Sequence, residues 1–202
     1  MGKFIIFDLD GVIFDSKQNM RVSWIHVNKK LKYNVSFSKY FKNIGVPFED
    51  ILKKLRIKKN ISEAKKIFRE KSIQNFDLVK IYPYVKSTIN QLKKKKIKLG
   101  IITSKEHSRT KKLLKKFKLN FKYVQCPVSG YKGKPNPFLL NKLLKRAKER
   151  KQDTYYIGDT YTDYKFAKNS KINFIFCNYG YGKIDIRSVR KIKKINDLLS
   201  II

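Results

Sequence analysis

Two aspartates one residue apart, Asp8 and Asp10 in "FDLDG", are the first residues of this chain able to do chemistry. Thr103 and Ser104 close "LGIITS", Lys134 stands in "GKPNP", and Asp159 and Asp163 lie four residues apart in "GDTYTD". All but Lys134 follow a short apolar run, and the Lys–Pro pair leads into a long helix that precedes the third run. Ligands of open α/β sheets bind beyond the carboxyl ends of the strands. If the runs are parallel strands, these side chains meet at one sheet edge. Carboxylates gathered there repel one another unless a cation sits among them, and an all-oxygen donor set suits Mg²⁺, an ion often shared with a phosphate. Thr103 and Lys134 would then offer hydrogen bonds and positive charge to phosphoryl oxygens. An aspartate can itself accept a phosphoryl group. Gly11 permits a sharp change of direction after Asp10, so that Asp10 can aim at a leaving oxygen.

Taken singly, each motif also reads as ordinary structure. A D-x-D or a G-D-x-x-x-D serves many turns and helix caps. Thr103 and Ser104 could cap the next helix, and Lys134 could be one more surface lysine. Their joint occurrence, in order along the chain, favours chemistry.

The elements that must position them follow from hydrophobic pattern. "FIIF" 4–7, "KLGIIT" 98–103, "TYYIG" 154–158 and "INFIFC" 172–177 are dense in apolar residues rather than alternating, as strands covered on both faces require. Apolar residues recur at helical spacing over 83–97, 107–118 and 136–149. Strand alternating with helix predicts a doubly wound, Rossmann-like α/β sheet. Residues 16–82 break that rhythm with amphipathic stretches around a turn at "NIGVP", and a short helix is expected over "INDLLSII" at the end. The reading divides the chain into an α/β core, 1–15 and 83–202, and a helical cap domain, 16–82. Trp24 reads as cap core and Phe48 as cap core or substrate wall. His26 and His107 read as helix residues and Asp15 as a cap near the hinge.

The chain has 202 residues, with 49 Lys and Arg against 15 Asp and Glu, a net charge of +34. That balance favours anionic partners. The lysines are spread along what look like polar helix faces, and no basic-aromatic module accompanies them. Nucleic-acid binding is therefore not the expected main function, which leaves acidic lipid and phosphorylated metabolites among the anions such a charge would favour. Cys126 and Cys177 are isolated, as in a reducing compartment. No signal peptide and no membrane-spanning run is seen, which points to a cytoplasmic protein without membrane partners.

"DLDGVIFDS", "IITSK", "GKPNP" and "YYIGDTYTD" resemble, in order and over nearly the whole chain, the four motifs of the haloacid dehalogenase-like (HAD) hydrolase superfamily. The helical segment after the first strand is similar to the phosphoglycolate phosphatase-like branch, and "AKNSKINFIFCNYGYG" resembles its last helix–strand–turn. The resemblance implies a Mg²⁺-dependent phosphatase acting on a small phosphomonoester. Asp8 would be the nucleophile that forms an aspartyl-phosphate. Asp10 would protonate the leaving alcohol, activate water and lend its backbone carbonyl to the metal. Thr103, with Ser104, would hold the phosphoryl group, and Lys134 would neutralise it and Asp8. Asp8 and Asp159 would bind Mg²⁺, with Asp163 orienting metal-bound water from behind. Ser16, Gly45, Val46, Pro47 and Phe48 would face the leaving group. Such enzymes act as monomers or dimers.

Three rival readings remain. Dehalogenases of the superfamily lack the acid at Asp10. A β-phosphoglucomutase-like activity is closer, but Met20 stands where that branch carries a histidine, and "NIGVPFED" lacks its arginine. A non-catalytic polyanion-binding protein could keep the fold without chemistry, although it would have no physical need of the full acid set.

Overall fold

The computed structural model describes residues 3–202. At its centre β1 (Phe4–Phe7) lies between β4 (Lys98–Ile102) and β6 (Thr154–Gly158), parallel to both. Beyond β4 comes β5 (Tyr123–Gln125); beyond β6 come β7 (Asn173–Cys177) and β8 (Arg190–Ile192). The sheet order is β5-β4-β1-β6-β7-β8, parallel throughout.

The period of two along β1 divides its side chains between two cores. Ile5 and Phe7 pack with residues of α5 (Val85–Lys94), α6 (His107–Lys116) and α9 (Leu198–Ile201). Phe4 and Ile6 pack with residues of α7 (Phe138–Ala147) and α8 (Tyr161–Ser170) on the opposite face. Both faces are covered, so all four β1 residues are fully buried, which is why the strand is apolar without alternation. The chain leaves β1 toward β4 and later returns to its other flank at β6. That reversal opens a crevice at the carboxyl end of β1.

The four expected strands appear within a residue or two of their expected bounds. β5 and β8 do not stand out in the sequence, because "YVQ" and "RKI" are short and polar edge strands. The helices α5, α6 and α7 are shorter than their periodic windows. After α5, for instance, Lys96 turns left-handed at φ 57° and stops the helix.

Between β1 and α5 the chain builds an insert of four helices: α1 (Lys17–Leu31), α2 (Phe37–Phe41), α3 (Phe48–Lys54) and α4 (Ile61–Gln74). It has its own core, in which Trp24 stacks on Tyr40 at 4.5 Å and donates from Nε1 to the Val35 carbonyl at 2.9 Å. Asn19 locks α1 to α4, donating to the Ser72 and Asn75 carbonyls and accepting from the Ser72 hydroxyl, so the buried amide goes unpunished. At the insert's base, β2 (Phe14–Asp15) and β3 (Lys80–Ile81) pair antiparallel over two residues each. Among the described residues no helix is long and apolar enough to cross a membrane.

Candidate active site

Asp8 continues β1 by one residue, donating its amide to the Ile157 carbonyl at 2.9 Å. The chain then folds back in a tight turn in which the amides of Val12, Ile13 and Phe14 converge on the Leu9 carbonyl. Gly11 makes the turn possible with φ 87°, and a side chain there would sit inside the Asp159 carboxylate. Asp10 lines a small cavity of about 60 Å³ between sheet and insert, shared by Asp8, Thr103, Ser104 and Thr160. Its carboxylate accepts from the Ser16 hydroxyl and lies 3.0 Å from the Lys105 ammonium.

Behind Asp8 lies a buried charge cluster. The Lys134 ammonium is 3.0 Å from Asp8 Oδ1 and 2.8 Å from Asp163 Oδ1, and it donates to the Tyr156 hydroxyl at 3.1 Å. Asp8, Asp159 and Asp163 each present a carboxylate oxygen within 4.8 Å of the others. Asp163 is already saturated. Its Oδ2 accepts from the amides of Asp159 and Thr160 and from the Thr160 hydroxyl, while Oδ1 takes Lys134. It thereby closes a capping box at the start of α8. Asp159 is the opposite case: Oδ2 accepts the Tyr181 amide at 2.7 Å, but buried Oδ1 has no hydrogen-bond partner. An orphaned buried carboxylate oxygen beside a second carboxylate fits a hard cation.

Burial dominates the protonation of this cluster. It pushes Asp8 up to about 7 against the pull of Lys134, with Asp163 and Asp10 adding to the rise. Asp159 is raised well above the usual range, again by burial first and then by Asp163 and Asp8. Lys134 is raised as well, although burial pulls it down. Asp163 and Asp8 overcome its burial and hold the ammonium charged. Between pH 4 and 7 the folded metal-free protein therefore keeps protons that the unfolded chain has released, and stability present at pH 4 is lost as pH rises through 7. Calorimetric melting of metal-free protein is expected to show this loss between pH 5 and 8. Mg²⁺ at one fixed concentration should stabilise the protein, by about 2.7 kcal/mol where it reaches a hundred times the Kd, and by more at pH 8 than at pH 5, where protons on the acids compete with the ion. An equal gain at both pH values would contradict the cation assignment.

A family model for haloacid dehalogenase-like hydrolases matches residues 5–177, a span holding every one of these acids. The chain belongs to that family. Over 192 residues this HAD hydrolase is 28% identical to a phosphoglycolate phosphatase of Aquifex aeolicus, covering 91% of the chain and 88% of the relative. Over 175 residues it is 27% identical to the pyrophosphatase PpaX of Bacillus mycoides, covering 82% and 79%. The solved hydrolase from Pseudomonas syringae shares the fold with a TM-score of 0.87 at 22% identity, over all of this chain and 97% of the other.

Asp8, Asp10, Thr103 and Ser104 share the cavity of this HAD hydrolase, with Lys134, Asp159 and Asp163 gathered around or behind Asp8. Thr103 is buried at the end of β4, its hydroxyl accepting the Lys105 amide at 3.1 Å. Ser104 donates to the Gly45 carbonyl of the insert at 2.8 Å, so its hydroxyl joins sheet to insert at the cavity's edge. Gly45, Val46 and Phe48 line the cavity. Ser16 and Pro47 do not. Ser16 is fully buried behind Asp10, and Pro47 packs against Gly133, so neither is placed to meet a leaving group.

Three neighbours went unmarked in the sequence. Lys105 and Arg109 line the cavity as buried cations, and Tyr181 joins the base of the insert to Asp159. Burial pushes Lys105 down to about 8, with Arg109 adding to the fall and Asp10 opposing it. A signal for Arg109 existed: it precedes Leu113 and Phe117 at intervals of four, on the apolar face of α6. The Tyr181 hydroxyl meets the Ser16 amide at 2.6 Å and Asp15 at 3.1 Å.

Proposed function

We propose that this HAD hydrolase is a Mg²⁺-dependent phosphatase of small phosphomonoesters, working through an aspartyl-phosphate on Asp8. One observation carries the reading: Asp8 stands at the central strand's end, facing the cavity beside Asp10, with Lys134 at 3.0 Å and an orphaned Asp159 oxygen behind it. A carboxylate so placed can attack phosphorus in line with an ester oxygen on the insert side.

In this reading the Lys134 ammonium offsets charge on Asp8 and the incoming phosphoryl group, and Thr103 orients a phosphoryl oxygen. Asp10, two residues on in the turn, protonates the leaving oxygen. Having given up that proton, it then takes one from the water that cleaves the acyl-phosphate. Asp8, Asp159 and the Asp10 carbonyl would hold Mg²⁺, whose charge would help neutralise the phosphoryl oxygens. Asp163, its oxygens committed to protein donors, keeps Lys134 and the Asp159 loop in place. The insert, residues 16–82, serves as the cap that shields the reaction from bulk water. Met20 lines the cavity and has no titratable group with which to take a sugar hydroxyl proton, which favours hydrolysis over mutase chemistry.

The relatives carry the names phosphoglycolate phosphatase and pyrophosphatase, so both small esters and anhydrides belong in a first panel. With Mg²⁺, phosphate release is expected from p-nitrophenyl phosphate and more rapidly from a small metabolite such as phosphoglycolate or a sugar phosphate. EDTA should suppress release at least about 100-fold. Equal turnover in EDTA would remove the metal from the mechanism, and no release from any compound would remove the phosphatase reading.

A further inference from the structure

Arg109 is the charged cavity residue to which the roles above give no work. It projects from the inward face of α6 and is 7 % exposed, and its Nε has no hydrogen-bond partner. The guanidinium rests 5.1 Å from the centroid of the Phe68 ring on the insert. Its nearest acid along the helix, Glu106, is engaged elsewhere, with Arg69 at 3.5 Å and the Ser108 hydroxyl at 3.0 Å. The Lys105 ammonium, also buried, is spent on Asp10. Taking a guanidinium out of water without an anionic partner is costly, and stacking on one aromatic ring returns only part of that cost.

The position says what could return the rest. Asp8 and Lys134 define the end of the cavity that holds the phosphoryl group, and Asp10 meets the bridging oxygen. Arg109 lines the same cavity as Asp8 and Asp10 and meets the insert at Phe68, so its guanidinium reaches the insert side of that cavity. The insert's side of the cavity is largely apolar, with Met20, Tyr40, Phe48 and Phe68 among its residues, and offers no carboxylate. A planar fork of donors in such surroundings matches the two oxygens of a carboxylate or a phosphate.

We infer that Arg109 is a specificity residue that receives a second anionic group, carboxylate or phosphate, carried by the leaving group of the substrate. This rests on the phosphatase reading for its chemistry, though not for its binding. A compound with a neutral tail leaves the buried guanidinium unpaired, and a site built to pair a charge discriminates against the analogue that lacks it.

Three probes of similar size separate the possibilities in the presence of Mg²⁺: 2-phosphoglycolate with a carboxylate tail, inorganic pyrophosphate with a phosphate tail, and 2-hydroxyethyl phosphate with a neutral one. In the wild type, kcat/KM for at least one anionic-tail probe is expected to exceed that for the neutral probe about 10–100-fold. Whichever anionic probe leads identifies the tail. Arg109→Gln should bring that ratio to within about threefold of unity, and Arg109→Lys should recover part of it. Arg109→Met, which keeps the apolar contact with Phe68, serves if the Gln variant folds poorly. The same ratios are read without turnover by calorimetric binding of the probes to Asp8→Asn protein. Absent hydrolysis with an Arg109-dependent binding preference would sink the phosphatase reading and leave this assignment standing. A wild type without preference, or a preference that survives Arg109→Gln and Arg109→Met, would overturn the assignment whether or not hydrolysis occurs.

Discussion

Asp8→Asn is expected to lower phosphate release by about 10⁴-fold or more while raising the melting temperature of the metal-free protein at pH 8. The first effect follows from removing the nucleophile, which no neighbour can replace: Asp163 is locked by its hydrogen bonds, and Asp159 lies behind. The second follows from burial. A carboxyl held up near 7 is a charge the fold would rather not carry, and the isosteric amide removes it while leaving Lys134 its contact with Asp163. The gain should be about 1–2 kcal/mol, or roughly 2–8 °C for a chain of this length. Thermal melts and phosphate release on one preparation decide it. A variant that loses activity and stability together would mark Asp8 as a structural residue.

Lys134→Met is expected to cost both. The lysine is 2 % exposed and holds Asp8 and Asp163 together, so an apolar side chain of similar length leaves two buried carboxylates facing each other. Breaking a buried pair from one side costs about 3–5 kcal/mol, and losing a charge aimed at the phosphoryl group about 10²–10³ in kcat/KM. Mg²⁺ should restore part of the stability, since it offers the acids another cation, and little of the rate. Denaturant melts with and without Mg²⁺, beside phosphate release, test both halves. Turnover within tenfold of wild type would remove Lys134 from the phosphoryl site.

Scarcity made the acids legible. With 15 carboxylates in 202 residues, an aspartate at the end of an apolar run stands out, and Asp8, Asp10, Asp159 and Asp163 do so. Abundance hid the bases. Lys105 and Arg109 are two of 49 cations, and only the helical register of Arg109 with Leu113 and Phe117 sets it apart. The central strands were readable because both of their faces are covered. β5 and β8 were not, since edge strands need little apolar surface and "RKI" resembles a solvated loop. Ser16 shows where proximity in sequence misleads. It lies next to the insert, yet the turn after β1 folds it behind Asp10. Tyr181 stands in "NYGYG" yet gives no sign of its own role, because that role depends on a loop returning from β7 across the base of the insert.

The closeness of Gly11 and Gly180 to Asp159 sets a limit on how this chain can vary. Each would drive a methyl group into that carboxylate, and they come from opposite ends of the sequence, so no local rearrangement of one segment makes room for the other. In a saturation survey, alanine at either position should therefore be tolerated as poorly as loss of the acid itself. Two residues with no functional group at all would rank among the least replaceable in the protein.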